Sequence, residues 1–125
     1  MIIHQKTMQI IATAFANGST HDFRLFKESK SVMAYHVLCL ADAGYQGLAD
    51  LHTNSQTPQK KSKHHPLTVE QKVANRALAC QRIFVEHVIR KVKIFRILSE
   101  RYRNRRKRFG LRFNLIASLH NLELK

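Results

Sequence analysis

The sequence predicts an α/β fold with few strands and a strongly basic surface. Three observations lead there: two short apolar runs closed by turn signals, one long run with helical spacing, and 22 Lys and Arg against 8 Asp and Glu. The order strand, helix, strand, long loop, helix, helix is that of an α/β unit. Two strands make a poor sheet by themselves, so a strand is expected to be missing upstream.

Met8 to Phe15 (MQIIATAF) reads as a strand, closed by a turn at Asn17-Gly18. Ser19 or Thr20 is suited to cap the helix that follows, with Asp22 in its first turn facing the positive end of the helix dipole. Phe23, Leu25 and Phe26 give that helix an apolar side through about Ser31. Tyr35 to Ala41 (YHVLCLA) is nearly continuous in apolar character, as a strand covered on both faces would be. It ends at Asp42, before the turn-like Ala43-Gly44-Tyr45-Gln46-Gly47.

From about 50 to 66 the chain turns polar and basic, with Lys60, Lys61, Lys63, His64 and His65 together, and a loop is predicted. Thr68 with Gln71 has the spacing of a capping box, and Leu67 is placed as its staple. A helix is predicted from there to about Leu98, its apolar side formed by Val73, Ala77, Cys80, Phe84, Val88, Val92 and Phe95. The segment from about 99 to 125 is basic and helical. It opens with six basic residues, Arg101, Arg103, Arg105, Arg106, Lys107 and Arg108, and is interrupted at Gly110. A last helix at about Leu111 to Asn121 should bury Phe113, Ile116, Ala117 and either Leu119 or His120. No internal repeat is present.

Composition narrows the class. A chain of 125 residues has the size of one domain, and a hydrophobic content of 44% excludes compositional disorder. A net charge of +14 and a pI near 10.5 call for a polyanionic partner, nucleic acid before an anionic membrane. No apolar run reaches the roughly 18 residues of a membrane span, and MIIHQKTMQ lacks the pattern of a signal peptide. Cys39 and Cys80 both lie in apolar runs and read as reduced packing residues of a cytoplasmic protein. Neither forms a standard zinc spacing with His64 or His65.

Two carboxylates stand out. Asp42 follows the end of a predicted strand, where α/β sheets place their ligands, although a turn-opening Asp is the simpler explanation of that position alone. Glu86 lies in the otherwise basic and apolar RIFVEHVIRKVKIF, and helical periodicity puts Arg82 and Lys93 on its face with Arg90 flanking. A solvated ladder of charge pairs competes with a metal-binding carboxylate flanked by phosphate-holding cations.

The stretches FANGSTHDFRLFKES, LADAGYQG, HPLTVEQKVANRALACQRIFVEHVIRKVKIFRIL and SERYRNRRKRFGLRFNLIASLHN resemble the C-terminal part of DDE-type transposases of bacterial insertion sequences, in the RNase H-like superfamily. The resemblance implies an incomplete RNase H-like fold lacking its first strand or strands, with C-terminal helices, over residues 1–125. It implies that Asp42 is the second catalytic Asp and Glu86 the last catalytic Glu, both binding Mg²⁺. Arg82, Glu86 and Lys93 match part of a signature of related transposases; Ala79 stands where that signature often has Tyr. His21-Asp22 matches a recurrent pair read as structural. The family's first catalytic Asp belongs to an upstream strand, and no Asp or Glu precedes Asp22. A truncated or split reading frame is therefore expected.

The activity implied is metal-dependent DNA cleavage and strand transfer, with these residues inactive alone. Lys60, Lys61, Lys63, Arg82, Arg90, Lys93 and the basic residues from Arg101 to Arg108 are the expected DNA contacts. Further partners implied are an upstream-encoded fragment or a second copy. A non-catalytic, basic nucleic-acid-binding protein is the alternative.

Overall fold

The computed structural model describes residues 1–100 and 108–125. Its elements in order are strand β1 (Ile2–Ile3), strand β2 (Ile10–Ala12), helix α1 (Asp22–Glu28), strand β3 (Cys39–Leu40), a 3-10 turn (Ala43–Tyr45), helix α2 (Leu48–Leu51), strand β4 (Ser55–Gln56), helix α3 (Val69–Val92), helix α4 (Arg96–Ser99) and helix α5 (Phe109–Glu123). The described residues are mixed α/β with two small sheets. The chain forms two units: residues 1–19 with 84–125, and residues 20–83.

In the first unit β1 and β2 pair antiparallel, with Ile2 opposite Ala12 and Ile3 opposite Ile10. The predicted strand from Met8 to Phe15 shrinks to three residues, and at its start Met8 takes a positive φ of 61°, which breaks the extended run. Ile10, Val88, Val92, Ile116 and Ala117 form the core, with Ile3, Met8 and Leu98 against it. Helix α5 buries Phe113, Ile116 and Ala117 as expected, and of the two alternatives at its end it buries His120 while Leu119 is exposed. Gly110 does not interrupt this helix: it is its second residue, and a methyl there would stand 2.7 Å from Phe15 Cε1.

Side chains of α5 also close the free edge of β2. The Ile10 N–H donates to Asn121 Oδ1 at 2.7 Å, and Asn121 Nδ2 donates to the Ile10 carbonyl at 2.9 Å. His120 Nε2 lies 3.0 Å from the Met8 carbonyl. Asn121→Ala leaves two backbone groups of a buried residue without partners, so a stability loss of about 2 kcal/mol is expected in chemical denaturation. A change under about 0.5 kcal/mol would show that water replaces the amide.

In the second unit β3 and β4 pair in parallel, Cys39 with Ser55 and Leu40 with Gln56. The long strand expected at Tyr35 to Ala41 is not formed. Tyr35 is 88% exposed, and Val37 and Leu38 are also open to solvent, so the run is not covered on both faces. The predicted loop from Asp50 is corrected as well, because α2 extends to Leu51 and β4 lies within it. Buried His52 places Nε2 2.6 Å from the Val37 carbonyl, and Leu48 is the most buried side chain. Helix α1 is capped by His21, whose Nδ1 accepts from the Phe23 N–H, rather than by Ser19 or Thr20.

The capping box of α3 forms as its spacing predicts. Thr68 N–H donates to Gln71 Oε1 at 3.0 Å, and Gln71 N–H donates to Thr68 Oγ1 at 3.2 Å. The phase of the helix differs from the expected one. Up to Ile83 its less exposed positions are Gln71, Asn75, Leu78 and Arg82, while Val73, Ala77 and Cys80 face solvent. These polar side chains meet polar partners, which a count of apolar residues does not anticipate. From Val85 onward Val85, Val88, Ile89 and Val92 turn inward and Phe84 outward. Helix α3 ends at Val92 rather than near Leu98; α4 follows as a separate turn.

Candidate functional site

Asp42 is the first residue after the Ala41 N–H, which donates to the Gln56 carbonyl at 3.0 Å and so closes the parallel pair. Its extended backbone (φ −85°, ψ 178°) caps the 3-10 turn. Oδ1 accepts from the Gly44 N–H at 2.7 Å, and the Tyr45 N–H donates to the Asp42 carbonyl at 3.1 Å. A methyl on Gly44 would stand 3.0 Å from Oδ1, so the carboxylate's approach depends on glycine there. Gly47 completes the turn with φ of 87°, in the left-handed region that glycine adopts without strain.

The second oxygen of Asp42 faces Arg82, with Nη2 3.9 Å away; the Arg82 side chain is 21% exposed and that of Asp42 48%. A contact of that length through partly open space is weak, and it leaves the carboxylate able to exchange partners. Tyr45 stands in the same surroundings, its ring edge-on to Phe23 and Phe26. Burial pushes its phenol above the usual range, and the Asp22 and Asp42 charges push further while Arg82 opposes them. The hydroxyl therefore stays protonated at neutral pH. Burial likewise raises the Cys39 thiol, whereas Cys80 is exposed. Iodoacetamide at about pH 8 should label Cys80 several-fold faster than Cys39, because only thiolate reacts. Equal rates by mass spectrometry would contradict a half-buried Cys39 thiol with a raised pKa.

Arg82 and Glu86 lie four residues apart on α3, and Glu86 is exposed. Lys93 is one residue beyond the helix, its N–H still donating to the Ile89 carbonyl at 3.0 Å. Arg90 is exposed and lines a shallow hollow of about 420 Å³ with His87, Lys91 and Ile94; no spacing in the sequence singles out His87 or Lys91. Lys91 also pairs with Glu123 at 3.6 Å. Lys60, Lys61 and Lys63 are exposed on the loop before α3, and Arg108 is exposed before α5. Arg101, Arg103, Arg105, Arg106 and Lys107 lie outside the described residues.

Carboxylate oxygens are the right donors for a hard divalent cation. Among the described residues, however, no three His, Cys, Asp or Glu side chains gather where they could hold a metal ion. Both Asp42 oxygens already face donors, one a backbone amide and one a guanidinium. No helix among the described residues is long and apolar enough to cross a membrane.

Asp42 at the end of β3, Arg82 facing it and the exposed Lys60, Lys61 and Lys63 on the loop before α3 are the charged groups gathered in the second unit. The chain belongs to the DDE superfamily endonucleases, whose family model matches residues 1–121. It is 53% identical over 124 residues to a protein of Microchaete diplosiphon described as "Probable transposase for insertion sequence element IS702". That similarity covers 99% of this chain and 45% of the relative. No solved structure matches it significantly.

Proposed function

We propose that the chain serves DNA transposition in the cytoplasm of a bacterium, as the C-terminal part of a transposase catalytic domain with an incomplete RNase H-like fold. In this reading Asp42 and Glu86 are two of the carboxylates through which the complete domain binds Mg²⁺ and cuts and joins DNA. The observation that carries it is the match of the DDE endonuclease model to residues 1–121. The position of Asp42 at the C-terminal end of a parallel strand, beside Arg82, supports it. Arg82, Arg90 and Lys93 neutralise phosphates near the carboxylates. Lys60, Lys61, Lys63 and the basic residues from Arg101 to Arg108 extend contact along the DNA backbone, which gives affinity and register without reading bases. An upstream-encoded fragment or a second copy of the chain is the further partner in this reading.

The 125 residues alone do not cleave DNA at a useful rate in this reading. Two carboxylates carry two negative charges against the four of a divalent ion pair, and preorganisation before substrate arrives is where much catalytic stabilisation originates. A purely binding role is the second reading, favoured by the lack of a three-ligand cluster among the described residues. The test is nicking of supercoiled plasmid with Mg²⁺ or Mn²⁺. It compares this chain with a chimera placing it within the full length of its Microchaete relative. Cleavage by the chimera only is expected. Robust cleavage by the 125 residues alone would overturn their inactivity, and an inert chimera would favour the binding reading.

A further inference from the structure

The basic loop is anchored by uncharged side chains at its root. Because β3 and β4 run parallel, their C-terminal ends lie on one edge of the pair. Asp42 leaves that edge from β3, and the chain leading to Lys60 leaves it from β4. Two amides then fix the second departure. Gln46, in the turn that Asp42 caps, donates from Nε2 to the Pro58 carbonyl at 2.9 Å and to the Ala43 carbonyl at 3.3 Å. Asn75, on the less exposed side of α3, grips the next residue with both ends of its amide. The Gln59 N–H donates to Asn75 Oδ1 at 2.9 Å, and Asn75 Nδ2 donates to the Gln59 carbonyl at 3.0 Å.

Beyond that grip the loop folds on itself. The His65 N–H donates to Ser62 Oγ at 3.0 Å, and the Ser62 N–H to the His65 carbonyl at 3.3 Å. The capping box at Thr68 and Gln71 holds the other root. Lys60, Lys61 and Lys63 are thus carried on a short turn fixed at both ends, not on a free tether.

We infer that Gln46 and Asn75 are positioning residues for DNA binding: together they hold the Lys60–His65 turn as a preformed phosphate-contacting arm beside Asp42. The inference rests on the DNA-binding reading above. Its physical basis is ordering entropy. A loop that must be immobilised on binding loses affinity for each side chain and backbone torsion it orders, whereas a prefixed arm has already lost that freedom in folding. Neither amide carries charge, so neither adds to counterion release.

The experiment measures binding of the full 125-residue chain to a duplex oligonucleotide at several salt concentrations, for Asn75→Ala, Gln46→Ala and, as charge controls, Lys60→Ala and Lys61→Ala. Trypsin cleavage after Lys60, Lys61 and Lys63, and thermal melting, are followed in parallel. Each amide variant should bind roughly three- to tenfold more weakly with an unchanged salt slope, and should be cut faster in the loop. Each lysine variant should instead lower the slope by about 0.9. Faster loop cleavage with unchanged DNA affinity in both amide variants would overturn the inference. So would an amide variant whose slope falls like that of a lysine variant. If Asn75→Ala lowers the melting temperature broadly, Gln46→Ala, on an exposed turn, decides. A flat salt response of the unsubstituted chain would instead remove the DNA-binding reading itself, and the inference with it.

Discussion

Binding of this chain to duplex DNA should weaken by about a thousandfold or more when salt rises from about 50 to about 200 mM, with little preference for sequence. The charge balance of +14 requires a strong response, and its distribution concentrates it. Six basic residues fall within positions 101–108, three lysines lie on the loop from Lys60, and Arg82, Arg90 and Lys93 follow along or just beyond α3. Each phosphate neutralised releases condensed counterion, so roughly six to ten contacts give that loss. Affinity measured by fluorescence anisotropy at several salt concentrations yields the slope directly. A flat response would mean that the charge is solvated and unused. Strong preference for one sequence would mean that base edges are read as well, which phosphate contacts alone do not provide.

What the sequence made legible was local chemistry. The Thr68–Gln71 capping box and the buried set of α5 depend on residues three or four apart, so their patterns survive in one dimension. Asp42 was legible as a strand-end carboxylate because a turn signal follows it at once. Strand length was not legible. The apolar run from Tyr35 lies largely open, and the polar Ser55–Gln56 pairs instead through its backbone, which side-chain character does not report. The phase of α3 was hidden because its inward positions toward the start are Gln71, Asn75 and Arg82, each meeting a polar partner distant in sequence or at a cap. Its end was hidden too. No Gly or Pro marks Val92; the ladder tightens there, with Ile94 N–H donating to Lys91 and Phe95 N–H to Val92. The clamp at Gln46 and Asn75 joins residues 12 and 16 positions apart, and no local spacing announces it.

Replacing either proposed catalytic carboxylate by its amide should abolish cleavage by the full-length chimera while leaving DNA binding nearly intact. Asp42→Asn keeps an oxygen that can accept from the Gly44 N–H, so the 3-10 turn and its neighbouring strand pair should persist. It removes the negative charge that Arg82 faces at 3.9 Å and that a divalent cation would need. Glu86→Gln alters an exposed helical position between two residues of similar helix propensity, so α3 should be undisturbed. Loss of a ligand charge at a metal site that must be preorganised lowers the rate by at least about a hundredfold, whereas affinity for the DNA backbone, set by cations, should move by less than about threefold. Plasmid nicking and anisotropy on the same preparations separate the two quantities. A variant that nicks within a few-fold of its parent would remove that carboxylate from the chemistry. A variant that loses binding and cleavage together would place the residue in the fold rather than the reaction. Arg82→Ala serves as the contrast, since it removes a cation and should lower the salt slope as well as the rate.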